Sequence, residues 1–165
     1  MTRRPIVCDT TVLLYLGRIG QIDLLPSLFG PVLVPERVRL ELDMGRLLRR
    51  DTVDPEDLPW ATPVSVSQVM IDALPPNRLG RGEQAVIAYT NAHQGSVAGL
   101  DDLRARQLAE ALGLTVAGTL GLMLRAKRAG FVPAVRPLVD AAAAEGFHVS
   151  PDLYRDVLRL ADEAM

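Results

Sequence analysis

Four short apolar runs, each handed straight to a helical pattern, limit the folds open to this 165-residue chain. They are PIVC at 5–8, PVLVP at 31–35, SVAGL at 96–100 and LTVAG at 114–118. A strand that is apolar on both faces, rather than alternating, needs cover on both sides, as parallel sheets have. Helical patterns between such strands supply that cover and the crossovers. The sequence therefore predicts a parallel sheet with helices on both faces.

The helical patterns are TVLLYLGRIG, QIDLLPSLFG, ERVRLELDMGRLLRR, SQVMIDAL, LGRGEQAVIAYTNAHQG, LRARQLAEALG, TLGLMLRAKRAG, PAVRPLVDAAAAEG and SPDLYRDVLRLADEAM. Gly20, Gly30, Gly113 and Gly130 stand where a chain leaves a helix. Ser150 followed by Pro151 is a helix start, a hydroxyl N-cap before a residue with no N–H to lose. In the third pattern Val38, Leu42 and Leu48 are expected to face inward. Residues 51–63, rich in proline, read as a loop, with VSV at 64–66 as a short strand after it. No repeat or domain boundary interrupts 1–165, so one domain is expected, with helices from about 133 to 165 packed on it.

Composition excludes more than it identifies. No apolar run approaches the ~18 residues that span a bilayer, and MTRRPIVCDTT meets an acid too early for a signal peptide. A single cysteine excludes an internal disulfide, and a cytoplasmic protein is expected. The net charge of −2 carries no global signature of nucleic-acid binding. Of the 18 basic residues only Lys127 is a lysine, which fits a GC-rich genome as well as phosphate recognition by guanidinium forks. The arginines cluster locally in GRLLRR at 45–50, NRLGRG at 77–82 and RAKR at 125–128.

In sheets of this kind ligands lie beyond the carboxyl ends of the strands. Asp9 falls at the end of the first strand and the pair Asp101-Asp102 at the end of a later one. Glu41 lies in the helix after the second strand, and Glu83 in the first turn of an apolar helix. Each acid has a plainer reading. Asp9 or Asp101 would cap a helix, Glu41 would sit on a solvated face, and Glu83 would complement a helix dipole. Brought together, however, such carboxylates repel and raise one another's pKa, and a hard divalent cation relieves that repulsion. No serine, cysteine or histidine constellation competes: Cys8 reads as a small buried residue, and neither His93 nor His148 has a recognisable partner.

At these residues the chain resembles the PIN-domain ribonucleases, above all a prokaryotic subfamily close to VapC-type toxins. The likeness is carried by IVCDTTVLLYLGRIGQIDLLPSLFG, VLVPERVRLEL, LGRGEQAVIAY, LDDLRARQLAEALGLTVAGTLGLMLRAKRAG and SPDLYRDVLRLADE, which together cover nearly the whole chain. The resemblance implies a three-layer α/β/α domain with a central parallel sheet. It implies Mg²⁺- or Mn²⁺-dependent cleavage of RNA, with Asp9, Glu41, Glu83 and Asp101 as the catalytic acids. Asp9, Glu83, Asp101 and Asp102 would ligate the metal. Thr10 matches the hydroxyl residue after the first acid, and Arg106 a group that holds an acid or a phosphate. Glu83 stands where the commoner pattern has aspartate, and the fourth region lacks the usual threonine-x-aspartate, so Asp101 and Asp102 remain alternatives. A small antitoxin presenting an arginine to the acids, and a homodimer formed through helices around residues 20–50, complete what the resemblance implies.

Two other chemistries fit less well. A haloacid-dehalogenase-like phosphatase wants a second acid two residues after the first, where this chain has Thr11. A receiver domain wants paired acids near the start and a later lysine, whereas Lys127 lies in an arginine-rich helix. The rival from another class is a PIN-fold module that binds RNA or protein without cutting, its acids serving as caps.

Overall fold

The computed structural model describes residues 3–163. Five parallel strands form one sheet: β1 (Ile6–Cys8), β2 (Val32–Pro35), β3 (Ala61–Val64), β4 (Val97–Gly99) and β5 (Thr115–Ala117), in the order β3-β2-β1-β4-β5. Around them run α1 (Thr10–Arg18), α2 (Leu24–Leu28), α3 (Glu36–Leu48), α4 (Gln68–Asp72), α5 (Arg81–Ala92), α6 (Leu103–Ala111), α7 (Thr119–Arg128), α8 (Arg136–Ala144) and α9 (Pro151–Leu160). The architecture is a three-layer α/β/α fold around a central parallel sheet.

The all-apolar runs are buried on both faces because β1 and β4 are central: every residue of both strands is buried. Ile6 pairs with Val32 on one side and Val97 on the other, so three branched side chains share one rung. Right-handed crossovers place α1 to α3 on one face and α5 and α6 on the other. α1 touches α3, α7 and α8, α5 lies over β1, β2 and β4 and against α4 and α6, and α3 and α5 meet each other where Gly82 reaches Glu41. A second apolar cluster, including Leu24, Met123, Val135, Leu138, Val139 and Val157, joins α2 to α7, α8 and α9. None of the described helices is long and apolar enough to cross a membrane.

Most boundaries lie where the residue chemistry puts them. Gly113 and Gly130 end α6 and α7 at φ of 78° and 82°, a conformation that costs other residues steric strain. Ser150 Oγ accepts from Leu153 N–H at 3.1 Å, with Pro151 in the first helical position.

Two expectations are corrected. The third strand is ATPV at 61–64, not VSV at 64–66. A strand at the sheet edge pairs on one side only, so it tolerates Pro63, which has no N–H. The residues after it are taken up by the start of α4, where Ser67 Oγ caps Met70 N–H at 3.3 Å. In α3, Val38 and Leu42 are buried, but Leu48 is 91% exposed. From Leu42 a step of six residues turns an α-helix well past a whole number of turns, which carries position 48 off the buried face.

That contrast is measurable. Leu42→Ala should cost roughly 2–5 kcal/mol in urea unfolding, because it opens a cavity in the core. Leu48→Ala should stay within about 0.5 kcal/mol of wild type.

Candidate active site

The strand order reverses at β1: the chain moves outward through β2 and β3, then returns to β4 on the other side. The crevice beyond the carboxyl ends of β1 and β4 is where such a sheet opens to a ligand. Asp9 stands at its floor. Its backbone N–H bonds Gly99 O at 3.0 Å, extending the β1–β4 ladder by one rung, and its side chain then enters the crevice wall. Although Asp9 occupies the N-cap position of α1, its carboxylate makes no cap hydrogen bond, and the residue is 5% exposed. Capping is not what this side chain does.

Burial raises the Asp9 carboxyl to about 7; the Thr10 backbone N–H opposes the rise, and the charges of Glu83, Glu41 and Asp101 add to it. Those four acids, which come from four different segments, therefore act on one another through space. Burial, with Asp9 and Asp101 nearby, also pushes the Cys8 thiol up, so it stays protonated at neutral pH.

Each of the other acids is held by its own partners. Glu41, in the second turn of α3, accepts the Thr10 hydroxyl on Oε2 and the Gly82 N–H on Oε1, the latter at 3.1 Å. It is not a solvated face residue. A Cβ on Gly82 would stand 2.6 Å from Glu41 Oε1, so α5 can approach this close only with glycine there. Glu83 Oε1 accepts the Gly80 N–H at 3.1 Å, the returning half of a capping box whose other half a glycine cannot supply. Burial raises the Glu83 pKa against the Gly80 bond, and Asp102 and Glu41 add to the rise.

The two adjacent aspartates separate into different roles. Asp102 is exposed and caps α6, its Oδ2 accepting Ala105 N–H at 3.1 Å. Asp101 turns toward α7, where Thr119 donates to both of its oxygens, from N–H at 2.7 Å and from Oγ1 at 2.8 Å. Arg106, one turn into α6, comes close as well. Its Nη1 and Asp101 Oδ1 lie 3.2 Å and 3.1 Å from the point that a Cβ on Gly118 would occupy.

Gly82, Gly118 and Thr119 do not stand out in the sequence. A threonine directly after a strand-ending AG was the available signal, since that is where a helix N-terminus meets the strand ends. What it bonds to depends on α6 and α7 lying side by side.

The arrangement is a wall of carboxylates whose partners are internal, around one buried carboxylate that has no side-chain partner. Among the described residues, no three His, Cys, Asp or Glu side chains form a group that could hold a metal ion as they stand. The donor chemistry nevertheless suits a hard divalent cation, since the oxygens are all carboxylate or hydroxyl. The buried Thr11 Oγ1, next but one to Asp9, also has no protein partner among the described residues.

A family model, DUF3368, described as a PIN domain, matches residues 5–163. No curated protein and no solved structure matches the chain.

The raised Asp9 pKa has a consequence for stability. A carboxyl ionising near 3.9 when unfolded but at about 7 when folded favours the protonated native state. Its contribution is fully present below about pH 4 and is lost as pH rises through about 7, a change on the order of 4 kcal/mol. In chelator, the urea midpoint should fall between pH 5 and pH 8 in wild type, a window set by the Asp9 value of about 7. Asp9→Asn should flatten most of that fall; an equal fall in the variant would show that Asp9 is not its source.

Proposed function

Because the chain belongs to the PIN-domain family, we propose that it is a metal-dependent ribonuclease hydrolysing RNA phosphodiester bonds, the toxin of a toxin–antitoxin pair. PIN domains are generally nucleases and usually use divalent metals. The observation that carries the reading is the Asp9 carboxylate, 5% exposed and without a side-chain partner at the strand ends, with Glu41, Glu83 and Asp101 close enough to raise its pKa.

Mg²⁺ or Mn²⁺ would be held by Asp9, Glu83, Asp101 and Asp102, where it would offset the repulsion among the acids and lower the pKa of an attacking water. The side chains of this chain do the rest. Thr10 and Gly82 fix both oxygens of Glu41, so that carboxylate is held where it can accept a proton from an attacking water. Thr119 fixes both oxygens of Asp101 and keeps it facing the crevice. Arg106, placed against Asp101 across Gly118, offers a guanidinium to a phosphate entering beside the acids.

For the partners in this reading, the exposed face of α3 is the candidate surface. Along α3, Leu40, Met44, Leu47 and Leu48 are exposed, and Glu41 lines the same shallow grooves as Leu40, Met44 and Leu48. An apolar shelf ending at a carboxylate suits a small antitoxin whose helix covers the leucines and whose arginine meets the acids. A second copy of the chain could use the outer part of the same stripe.

Cleavage of a fluorescent RNA should require Mg²⁺ or Mn²⁺ and stop on chelation. Asp9→Asn should lower kcat/KM by at least about 10³-fold and remove Mn²⁺ binding in calorimetry, because it takes out the central ligand. Retained RNA affinity with no cleavage by the wild-type protein under any divalent ion would favour the non-catalytic PIN-fold module instead.

Replacing Gly82 tests the support of Glu41. The clashing atoms are the end of a flexible side chain, so Gly82→Ala should fold and yet displace that carboxylate. A kcat loss of roughly 10–100-fold with nearly unchanged KM is expected, as for a misplaced catalytic group. An unchanged kcat would remove Glu41 from the chemistry.

A further inference from the structure

The cluster RAKR at 125–128 is not used by the acidic crevice, and the fold explains why. α7 starts at the crevice, where Thr119 holds Asp101, and runs back toward the amino-terminal ends of the strands. Its last turn therefore lies at the opposite pole, about 15 Å away along a ten-residue helix. There Arg125 and Arg128 meet Arg3, just ahead of β1, and the end of α2. Together with Ser27, Leu28 and Phe131 they line an open concavity of about 550 Å³ with no acidic residue in its lining.

The four last-turn and neighbouring cations are not equivalent. Lys127 is turned inward to the Ala161 carbonyl, at the carboxyl end of α9, and to Glu163, so it is neutralised. Arg125 and Arg128 point outward and enter no ion pair among the described residues, unlike Arg39, Arg46, Arg49, Arg155 and Arg159. The Arg125 guanidinium carbon lies over the buried Phe29 ring, 4.5 Å from its centroid, a cation–π contact that holds the group at the surface. Arg3 spends only Nη1 on the Pro26 and Ser27 carbonyls, and its other nitrogens are free among the described residues. Beside them Phe131 is 51% exposed, although an apolar cluster lies directly beneath α7.

Fixed guanidiniums without counter-charges, next to an exposed aromatic ring, match single-stranded nucleic acid: phosphates for the forks and a base for the ring. We propose that this pole is a second RNA-binding site, formed by Arg3, Arg125, Arg128 and Phe131, which holds the strand away from the acidic crevice. The crevice repels phosphates by itself, so a distal anchor gives the substrate a foothold that the acids do not. The choice of RNA among polyanions rests on the ribonuclease reading; the site's geometry does not.

The test is fluorescence anisotropy with a short labelled oligouridylate, in chelator so that nothing is cut. Both test residues are exposed, so Arg128→Glu and Phe131→Ala should keep the wild-type melting temperature. Each should weaken binding by at least about fivefold, and Arg128→Glu should also flatten the salt dependence. Arg50→Glu, the same charge change at the end of α3, should stay within about twofold if the effect is local rather than global. An abasic oligomer should bind wild type about as weakly as oligouridylate binds Phe131→Ala.

Wild-type affinity in both variants, or no binding by wild type, overturns the proposal. Loss in Arg128→Glu alone, with the abasic oligomer bound normally, overturns it in favour of a simple phosphate site. A protein that cleaves RNA but binds it equally well in both variants loses only this site. One that binds as described and never cleaves loses only the ribonuclease reading.

Discussion

A carboxylate placed under the strand ends with no side-chain partner is the constraint around which this molecule is arranged. Asp9 reaches that position because β1 is central and fully buried, and because its own N–H closes the last rung to Gly99. Buried charge is expensive without compensation, and here burial and three neighbouring acids hold the group far above its ordinary pKa. A fold optimised for stability alone would place an asparagine or an apolar residue there. In the proposed reading, keeping the acid leaves a group ready for a proton or a cation.

Around Asp9 the protein satisfies the other acids one by one, each through a different element. α1 supplies Thr10 to Glu41, α5 supplies the Gly82 N–H to the same carboxylate, and α7 supplies Thr119 to Asp101. These bonds orient the side chains without neutralising them, so the crevice stays negative while its geometry is fixed. α7 then ties that crevice to the basic concavity at its other end, giving a chain of small net charge two strongly unlike poles.

Much of this was readable in advance. The continuous apolar runs announced parallel strands, three of them interior (β1, β2 and β4) and one, β5, at the edge, and glycines such as Gly113 and Gly130 announced where helices stop, because both signals are local. The acids at strand ends were readable as well, since a strand end followed by a helix defines one edge of the sheet. The edge strand was misplaced because a strand with a single partner tolerates Pro63, which elsewhere argues against a strand. Leu48 was misassigned because an apolar residue at a helix end carries no mark of which face it lies on. The Asp101-Asp102 ambiguity could not be resolved locally, since both residues are equally suited to cap α6.

By itself the sequence determined the class of sheet, the order of its elements, and the acids that stand at the strand ends. These follow from hydrophobic periodicity and turn chemistry, which act over a few residues. Only the tertiary structure decided that Asp102 caps a helix while Asp101 is gripped by Thr119, that Glu41 requires glycine at 82, and that Arg3 joins Arg125 and Arg128. Apart from the local Asp102 cap, those facts are contacts between segments 18 to more than 100 residues apart. No local pattern encodes such contacts, because they exist only once the crossovers have brought the segments together.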